Sequence, residues 1–320
     1  MQKAVYILAN FGGPRSLKEI EIFLQELLLD PAVIRPKLPK IIHQWMFRRI
    51  AKKRAVTVAK DYEKIGGYSP IYQYTEELAK ILQGRLQDEV VPFHRYLPET
   101  HQDFLQKISA VQRKEIRVFP LFPQYSRSTT GSIDAFFTRY LPTVKMRWLW
   151  SYAVNPHFLH AYETIIRQCL DSNNFAEKET LLLFSCHGLP KAYIEEGDPY
   201  QKECEASFHY LQKSFFKAVS YLSYQSRFGP EEWLQPYTEE FCQKIEEKRK
   251  KIVVVPLSFT SDHIETLFEI EELYIPILRK RGFEAVRCPA LQMHPVWIDG
   301  IVSMVEEYFY GKILQRSCSE

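Results

Sequence analysis

Two segments of this chain end in side chains that can move a proton or hold a metal. The first reads Leu181-Leu182-Leu183-Phe184-Ser185-Cys186-His187-Gly188-Leu189-Pro190. The second reads Ile252-Val253-Val254-Val255-Pro256-Leu257-Ser258-Phe259-Thr260-Ser261-Asp262-His263-Ile264-Glu265-Thr266. A neutral imidazole accepts a proton near physiological pH, and a carboxylate beside it can hold the resulting charge, relay the proton or bind a divalent metal. Glu265 and Glu269 are four apart, so a helix sets both carboxylates on one face, with Leu267, Ile270, Leu273, Tyr274 and Ile277 on the other. Each feature also has a plainer reading. His187 beside a turn glycine fits a hydrogen-bonded loop residue. Asp262 and Glu265 fit a capping box, where acids favour a helix N-terminus.

The elements that must position these groups follow from the apolar runs before them. Each run is rich in Val, Leu and Ile, the mark of a strand buried on both faces. In open α/β sheets, ligands sit just beyond the carboxyl ends of parallel strands. His187 and the His263/Glu265 pair are therefore expected to meet in one cleft. The chain also repeats itself weakly. Phe11-Gly12-Gly13-Pro14 closes a first strand as His187-Gly188-Leu189-Pro190 closes a later one, and Ile116–Phe122 resembles Ile252–Ser258. Two similar α/β lobes are expected, residues 1–152 and 153–294, with a C-terminal helix in 295–320 packing back on the first. A surplus in the first half, about Arg35–Tyr74, reads as a lip on the cleft or as a surface elaboration without a role.

Helix signals fill in the frame. Ser16-Leu17-Lys18-Glu19 is a capping box opening a helix over Leu17–Leu29. Asp198-Pro199 opens another, expected to run to about Tyr224. Asp262–Arg281 is expected to be a helix stopped by Gly282, and Val296–Tyr310 a last one.

Composition excludes several classes. A net charge of +3 is too mild for nucleic acid but suits an anionic small ligand. The 14% aromatic content fits a well-filled core or a pocket for a flat ligand. The six cysteines lack CxxC spacing, so zinc and iron–sulfur signatures are missing, and free thiols fit a reducing cytoplasm. The N-terminal run before Gly12 reads as a strand rather than a signal peptide, and no stretch of 18 apolar residues occurs.

Taken together the segments resemble the ferrochelatase family over nearly the whole chain. The matching blocks are Phe184–Pro190 continuing to Gly197-Asp198-Pro199-Tyr200, Phe259–Leu267, Asn10–Pro14, Ile65–Ile71, Pro123–Ser126, Thr129–Ser132, and Gln225–Pro230 with Trp233. The resemblance implies two Rossmann-like lobes, each a parallel sheet flanked by helices, around a porphyrin cleft. It implies insertion of Fe²⁺ into a porphyrin, protoporphyrin IX giving protohaem, with release of two protons. His187 and Glu265 would be the catalytic and iron-site pair. Phe11, Arg95, Tyr96, Tyr125 and Trp233 would line or anchor the macrocycle, with Arg95 gripping a propionate. Asp262, His263, Glu269 and Glu272 would relay protons or metal. The family often has a third acid one turn beyond Glu269; here Leu273 stands there, with Glu272 adjacent. Some relatives hold a [2Fe–2S] cluster on C-terminal cysteines; this tail has Cys318 alone, so no cluster and no permanently bound cofactor is expected.

Three alternatives stay open: a coproporphyrin III substrate, a cobalt or nickel tetrapyrrole chelatase, and a haem-binding protein without chemistry. A cytoplasmic location is expected. Trp45–Arg49 could form a basic, apolar lip for peripheral contact with the inner membrane face, or an ordinary amphipathic helix. Transient contact with the preceding or following haem-pathway enzyme is the other partner expected.

Overall fold

The strands predicted to be buried on both faces are so. In the computed structural model, which describes residues 4–35 and 39–311, β1 (Val5–Asn10) is buried throughout and β5 (Thr180–His187) up to its last residue. After β1 come α1 (Ile20–Leu28), α2 (Lys40–Lys64), α3 (Ile71–Leu86), β2 (Glu89–His94), α4 (His101–Ala110), β3 (Ile116–Pro120), α5 (Thr130–Tyr140) and β4 (Met146–Trp148). Then α6 (Pro156–Ser172) leads into β5, α7 (Lys191–Glu195), α8 (Tyr200–Ser214), β6 (Val219–Gln225), α9 (Thr238–Lys244) and β7 (Lys251–Pro256). A π-helix (Glu265–Tyr274), α10 (Ile275–Lys280), β8 (Glu284–Arg287) and α11 (Pro295–Tyr310) complete the described chain.

The eight strands form two parallel sheets of one topology, β2-β1-β3-β4 and β6-β5-β7-β8. Their registers also agree: Ala9 lies opposite Pro120 as Ser185 lies opposite Pro256. The weak sequence repeat is thus a repeat of sheet order and register. The carboxyl ends of β1 and β5 both run into the cleft, which is where a ligand site belongs. One apolar cluster spans both lobes. It joins Leu8 and Phe119 of the first sheet to Phe184 and Val255 of the second through α6 and α11. Trp297 of α11 and Phe158 of α6 are fully buried there, each worth about 1.5–3 kcal/mol. α11 packs on α6 and on α3 of the first lobe, and Arg117 of β3 sits against the Phe309 and Tyr310 rings.

Several boundaries differ from the sequence reading. The extra segment of the first lobe is α1 with α2 rather than residues 35–74. Ile71–Tyr74 belong to α3, the crossover helix, whose Thr75 hydroxyl holds the Asn10 side chain at 2.9 Å. Ser16 makes no capping bond, because Glu19 turns back to the Arg15 backbone N–H and guanidinium instead. The helix after Pro199 ends at Ser214, and Val219–Gln225 is a strand: ladder bonds to β5 override a stretch with no Gly or Pro to stop a helix. Residues 265–274 wind as a π-helix, a rare form that gathers at functional sites. Asp262 and Glu265 form no capping box there. The Thr266 hydroxyl donates to Asp262 and accepts from the His263 N–H. Cys318 lies outside the described residues.

Candidate active site

A cavity of about 570 Å³ opens between the lobes, within the usual range for small-ligand pockets. The first lobe contributes an apolar wall that includes Phe11, Leu24, Leu27, Val33, Ile34 and Val58. The second contributes His187, His263, Glu265, Glu269, Trp233 and Phe259. The opposed walls are therefore unlike: the first is largely apolar, with Arg54, Asp61 and Gln124 among its polar places, and the second can handle protons.

His187 is fixed from three directions. Its N–H donates to the Ser258 hydroxyl at 2.9 Å, and its carbonyl accepts from the Tyr200 hydroxyl at 2.9 Å. Its Nδ1 lies 2.9 Å from Glu265 Oε2. With the Nδ1 proton directed at that carboxylate, Nε2 keeps a lone pair that can take a proton or a metal. The glycine that follows is dictated by space. A Cβ on Gly188 would lie 2.9 Å from the Gln225 carbonyl oxygen and 3.1 Å from the Trp233 ring.

The titration of these groups follows from their neighbours. Burial alone would push the His187 imidazole down, but the Glu265 charge and hydrogen bond, with Glu269 behind, leave it above its ordinary value. Burial pulls Glu265 the other way, yet facing His187 it is held at about 2. Glu269 is pushed up to about 7 by burial and by the Glu265 charge. It is cradled by Ser226 Oγ at 2.7 Å, Gln225 Nε2 at 3.1 Å and the Tyr274 hydroxyl at 3.3 Å. Burial pushes the His263 imidazole down. The result is a graded set: a carboxylate that stays ionised, an imidazole that accepts, and a second carboxyl poised near neutrality.

His187, Glu265, Glu269, His263, Phe11 and Trp233 thus come together as the sequence predicts. Five other expected residues do not line the cavity. Arg95 is spent on a buried ion pair with Asp30 at 2.7 Å and a bond to Ser132, so it has no charge to offer a propionate. Tyr96 is fully buried, its ring edge-on to Phe11 at 4.7 Å and its hydroxyl donated to Asp30. Tyr96 thus packs against Phe11, and the Arg95 guanidinium lies over the Tyr96 ring at 4.8 Å. The Tyr125 ring packs against Trp150 instead. Asp262 is buried in a pair with Arg287 at 2.8 Å, with Gln292 on its other oxygen. Glu272 is exposed on the outer face of the π-helix, and Leu273 and Tyr274 occupy the cavity side at that turn.

The sequence reading missed Arg54, Ser226 and Gln225 as site residues. Arg54 of α2 lines the cavity, half-buried over the Phe228 ring at 4.3 Å. It forms no ion pair among the described residues, and burial pushes its guanidinium down from its ordinary value. The only trace of it in the sequence is the basic composition of α2. Gln225 and Ser226 stood inside a matching block but had no role assigned.

A family model described as Ferrochelatase matches residues 2–309. The ferrochelatase of Chlamydia pneumoniae is 42% identical over 307 residues, 96% of this chain and 94% of that protein. The ferrochelatase of Chlamydia trachomatis serovar A is 44% identical over 300 residues, covering 94% of each. Among solved structures, CbiX, described as the terminal enzyme for biosynthesis of sirohaem in denitrifying bacteria, superposes with a TM-score of 0.51 at 15% identity, over 96% of this chain and 99% of that one. The sirohydrochlorin chelatase SirB of Bacillus subtilis subspecies spizizenii, in complex with cobalt, gives 0.52 at 12% identity, covering 95% and 94%. At those identities the two structures speak for the two-lobed fold alone. With a family match along almost its whole length and relatives above 40% identity, this chain belongs to the ferrochelatase family.

Proposed function

We propose that this ferrochelatase inserts Fe²⁺ into protoporphyrin IX, with His187 as proton acceptor and, with Glu265, the station for incoming iron. The observation that supports this is the His187–Glu265 pair, 2.9 Å apart, facing an apolar wall across a cavity of ligand size. A flat macrocycle set against Phe11 and its apolar neighbours presents its central nitrogens to the opposite wall. Nε2 of His187 takes a pyrrole proton, and the ionised Glu265 steadies the imidazolium that forms. Glu269, near neutrality, is the next acceptor, with His263 beside the pair. Asp262, held by Arg287, positions the start of the π-helix through Thr266 rather than relaying protons. No permanently bound cofactor is required for these steps; iron passes through as substrate.

Arg54 replaces Arg95 as the propionate partner. It is the cation at the cavity rim with no carboxylate of its own, whereas Arg227 nearby lies 3.8 Å from Glu240. One arginine free of carboxylate partners among the described residues, beside a largely apolar surface, suits a ring whose two propionates share one edge. Coproporphyrin, with four, would ask for more cationic partners than Arg54 supplies. The test is insertion of Fe²⁺ and Co²⁺ into protoporphyrin and coproporphyrin by wild type and His187→Ala. Iron and protoporphyrin should be the preferred pair, and the variant should lose nearly all turnover while still binding porphyrin. Preferred turnover of coproporphyrin would overturn the substrate, and an active His187→Ala would overturn the base.

A peripheral membrane role rests on α2. Ile41, Trp45 and Val56 are strongly exposed on it among Lys40, Arg48, Arg49, Lys52 and Lys53, a mixture suited to the anionic inner face of a bilayer or to handover from a neighbouring pathway enzyme. No described helix is long and apolar enough to cross a membrane. Co-sedimentation with anionic but not neutral vesicles, lost in Trp45→Ser, tests the membrane reading from a cytoplasmic location.

A further inference from the structure

We propose that Asp198 and Tyr200 form a positioning tether that registers the first-lobe cavity wall against His187. This deepens the reading above and rests on it. The Gly197-Asp198-Pro199-Tyr200 segment stands out in the sequence, yet neither proton transfer nor ring binding uses it. It lies where α8 of the second lobe begins, against the loop 123–128 of the first.

Asp198 is 3% exposed and spends both carboxylate oxygens. Oδ2 accepts from the Ser126 hydroxyl at 3.0 Å and from the Arg127 N–H at 2.8 Å, both in the first lobe. Oδ1 accepts from the Tyr200 N–H at 3.1 Å, in its own helix. Tyr200, 5% exposed, then sends its hydroxyl to the His187 carbonyl at 2.9 Å. One turn on, Glu203 accepts from the Tyr125 N–H at 2.7 Å and the Ser151 hydroxyl at 2.6 Å, holding the same loop a second time.

The two ends of this chain of bonds both face the cavity. Gln124, Ser126 and Ser128 line it from the first lobe, and His187 lines it from the second. A buried carboxylate that accepts three donors is rigid, since releasing any donor leaves a desolvated polar group. The tether therefore sets the distance between loop 123–128 of the first-lobe wall and the strand end that carries the imidazole. Near-attack geometry is sensitive to displacements of about 1 Å, so slack here reads as lost turnover rather than lost binding.

Tyr200→Phe keeps the ring and deletes the hydroxyl; Asp198→Asn keeps the shape and removes the charge. Each should lower kcat for iron insertion about tenfold, with the porphyrin Kd, read by fluorescence quenching, within about twofold of wild type. The double variant should be no worse than the poorer single one, because both cut the same path. Wild-type kcat in both variants, a loss carried by porphyrin Kd instead of kcat, additive losses, or a fall in Tm with full turnover per folded molecule would each overturn the tether. Ser126→Ala serves the same test should Asp198→Asn not fold. His187→Ala separates the two readings. If it is inactive while Tyr200→Phe and Asp198→Asn match wild type, only the tether is wrong; if it is active, the base and the tether fall together.

Discussion

Replacing Glu269 by Gln should stabilise the protein at alkaline pH and leave its stability unchanged near pH 4.5. Glu269 is held at about 7 against an ordinary 4.5, first by burial and then by the Glu265 charge. The native state therefore retains a proton between pH 4.5 and 7 that the unfolded chain has released. Stability falls as pH rises through that window, and above about 7 the full penalty is present. Each pKa unit is worth 1.36 kcal/mol, so the penalty is on the order of 2–3 kcal/mol. Gln takes the penalty away while its amide oxygen still accepts from Ser226, Gln225 and Tyr274. For a chain of this size, about 2 kcal/mol is several degrees of Tm. The assay is calorimetry of both proteins from pH 5 to 8.5. The two Tm values should diverge as pH rises, the variant lying higher at 8.5. A gap that does not change with pH, or one that closes on the alkaline side, would refute the burial-plus-repulsion account of this site.

Glu265→Gln should keep Tm near neutral pH within a few degrees but lose most iron insertion, and the His187 imidazole should titrate lower by NMR, because burial then acts without the Glu265 charge to offset it; retained turnover would leave Glu265 a structural residue only. Arg54→Leu should raise the porphyrin KM about ten- to hundredfold with kcat little changed, since a charge-assisted bond is worth about 1.5–3 kcal/mol, and esterified propionates should erase the difference between variant and wild type. Arg95→Leu should act on folding instead. It strands the Asp30 carboxylate, 6% exposed, at about 3–5 kcal/mol, so chemical denaturation should show the loss while the KM of the surviving protein stays near wild type.

The sequence made the lobes legible because a strand buried on both faces leaves a continuous apolar run, and Leu181–Phe184 and Ile252–Val255 are two such runs. His187 and Glu265 were readable for a related reason: His187 closes a buried strand, and Glu265 opens the helical turn that follows another. What was not readable depends on partners distant in sequence. Arg95 looks like a propionate ligand until Asp30, 65 positions away, is found against it. Arg54 looks like one more basic residue of α2 until Phe228 is found beneath it. The π-helix was invisible because its residues have the composition of an α-helix; one wider turn changes which of Glu272, Leu273 and Tyr274 meets the cavity.

The matched topology of the two sheets has a stereochemical consequence. By register, Phe11 just after β1 is the counterpart of His187, the last residue of β5, so duplicated scaffolds present a hydrocarbon at one strand end and a base at the other. A slab-shaped guest between them meets no mirror plane. The two faces of a porphyrin whose substituent pattern lacks an in-plane twofold axis are enantiotopic in solution and would become diastereotopic in such a cleft. Holding the carboxylate edge would not by itself choose between them, because a flip about the axis bisecting that edge keeps both propionates in place; the choice of face would fall to the walls beside the remaining substituents.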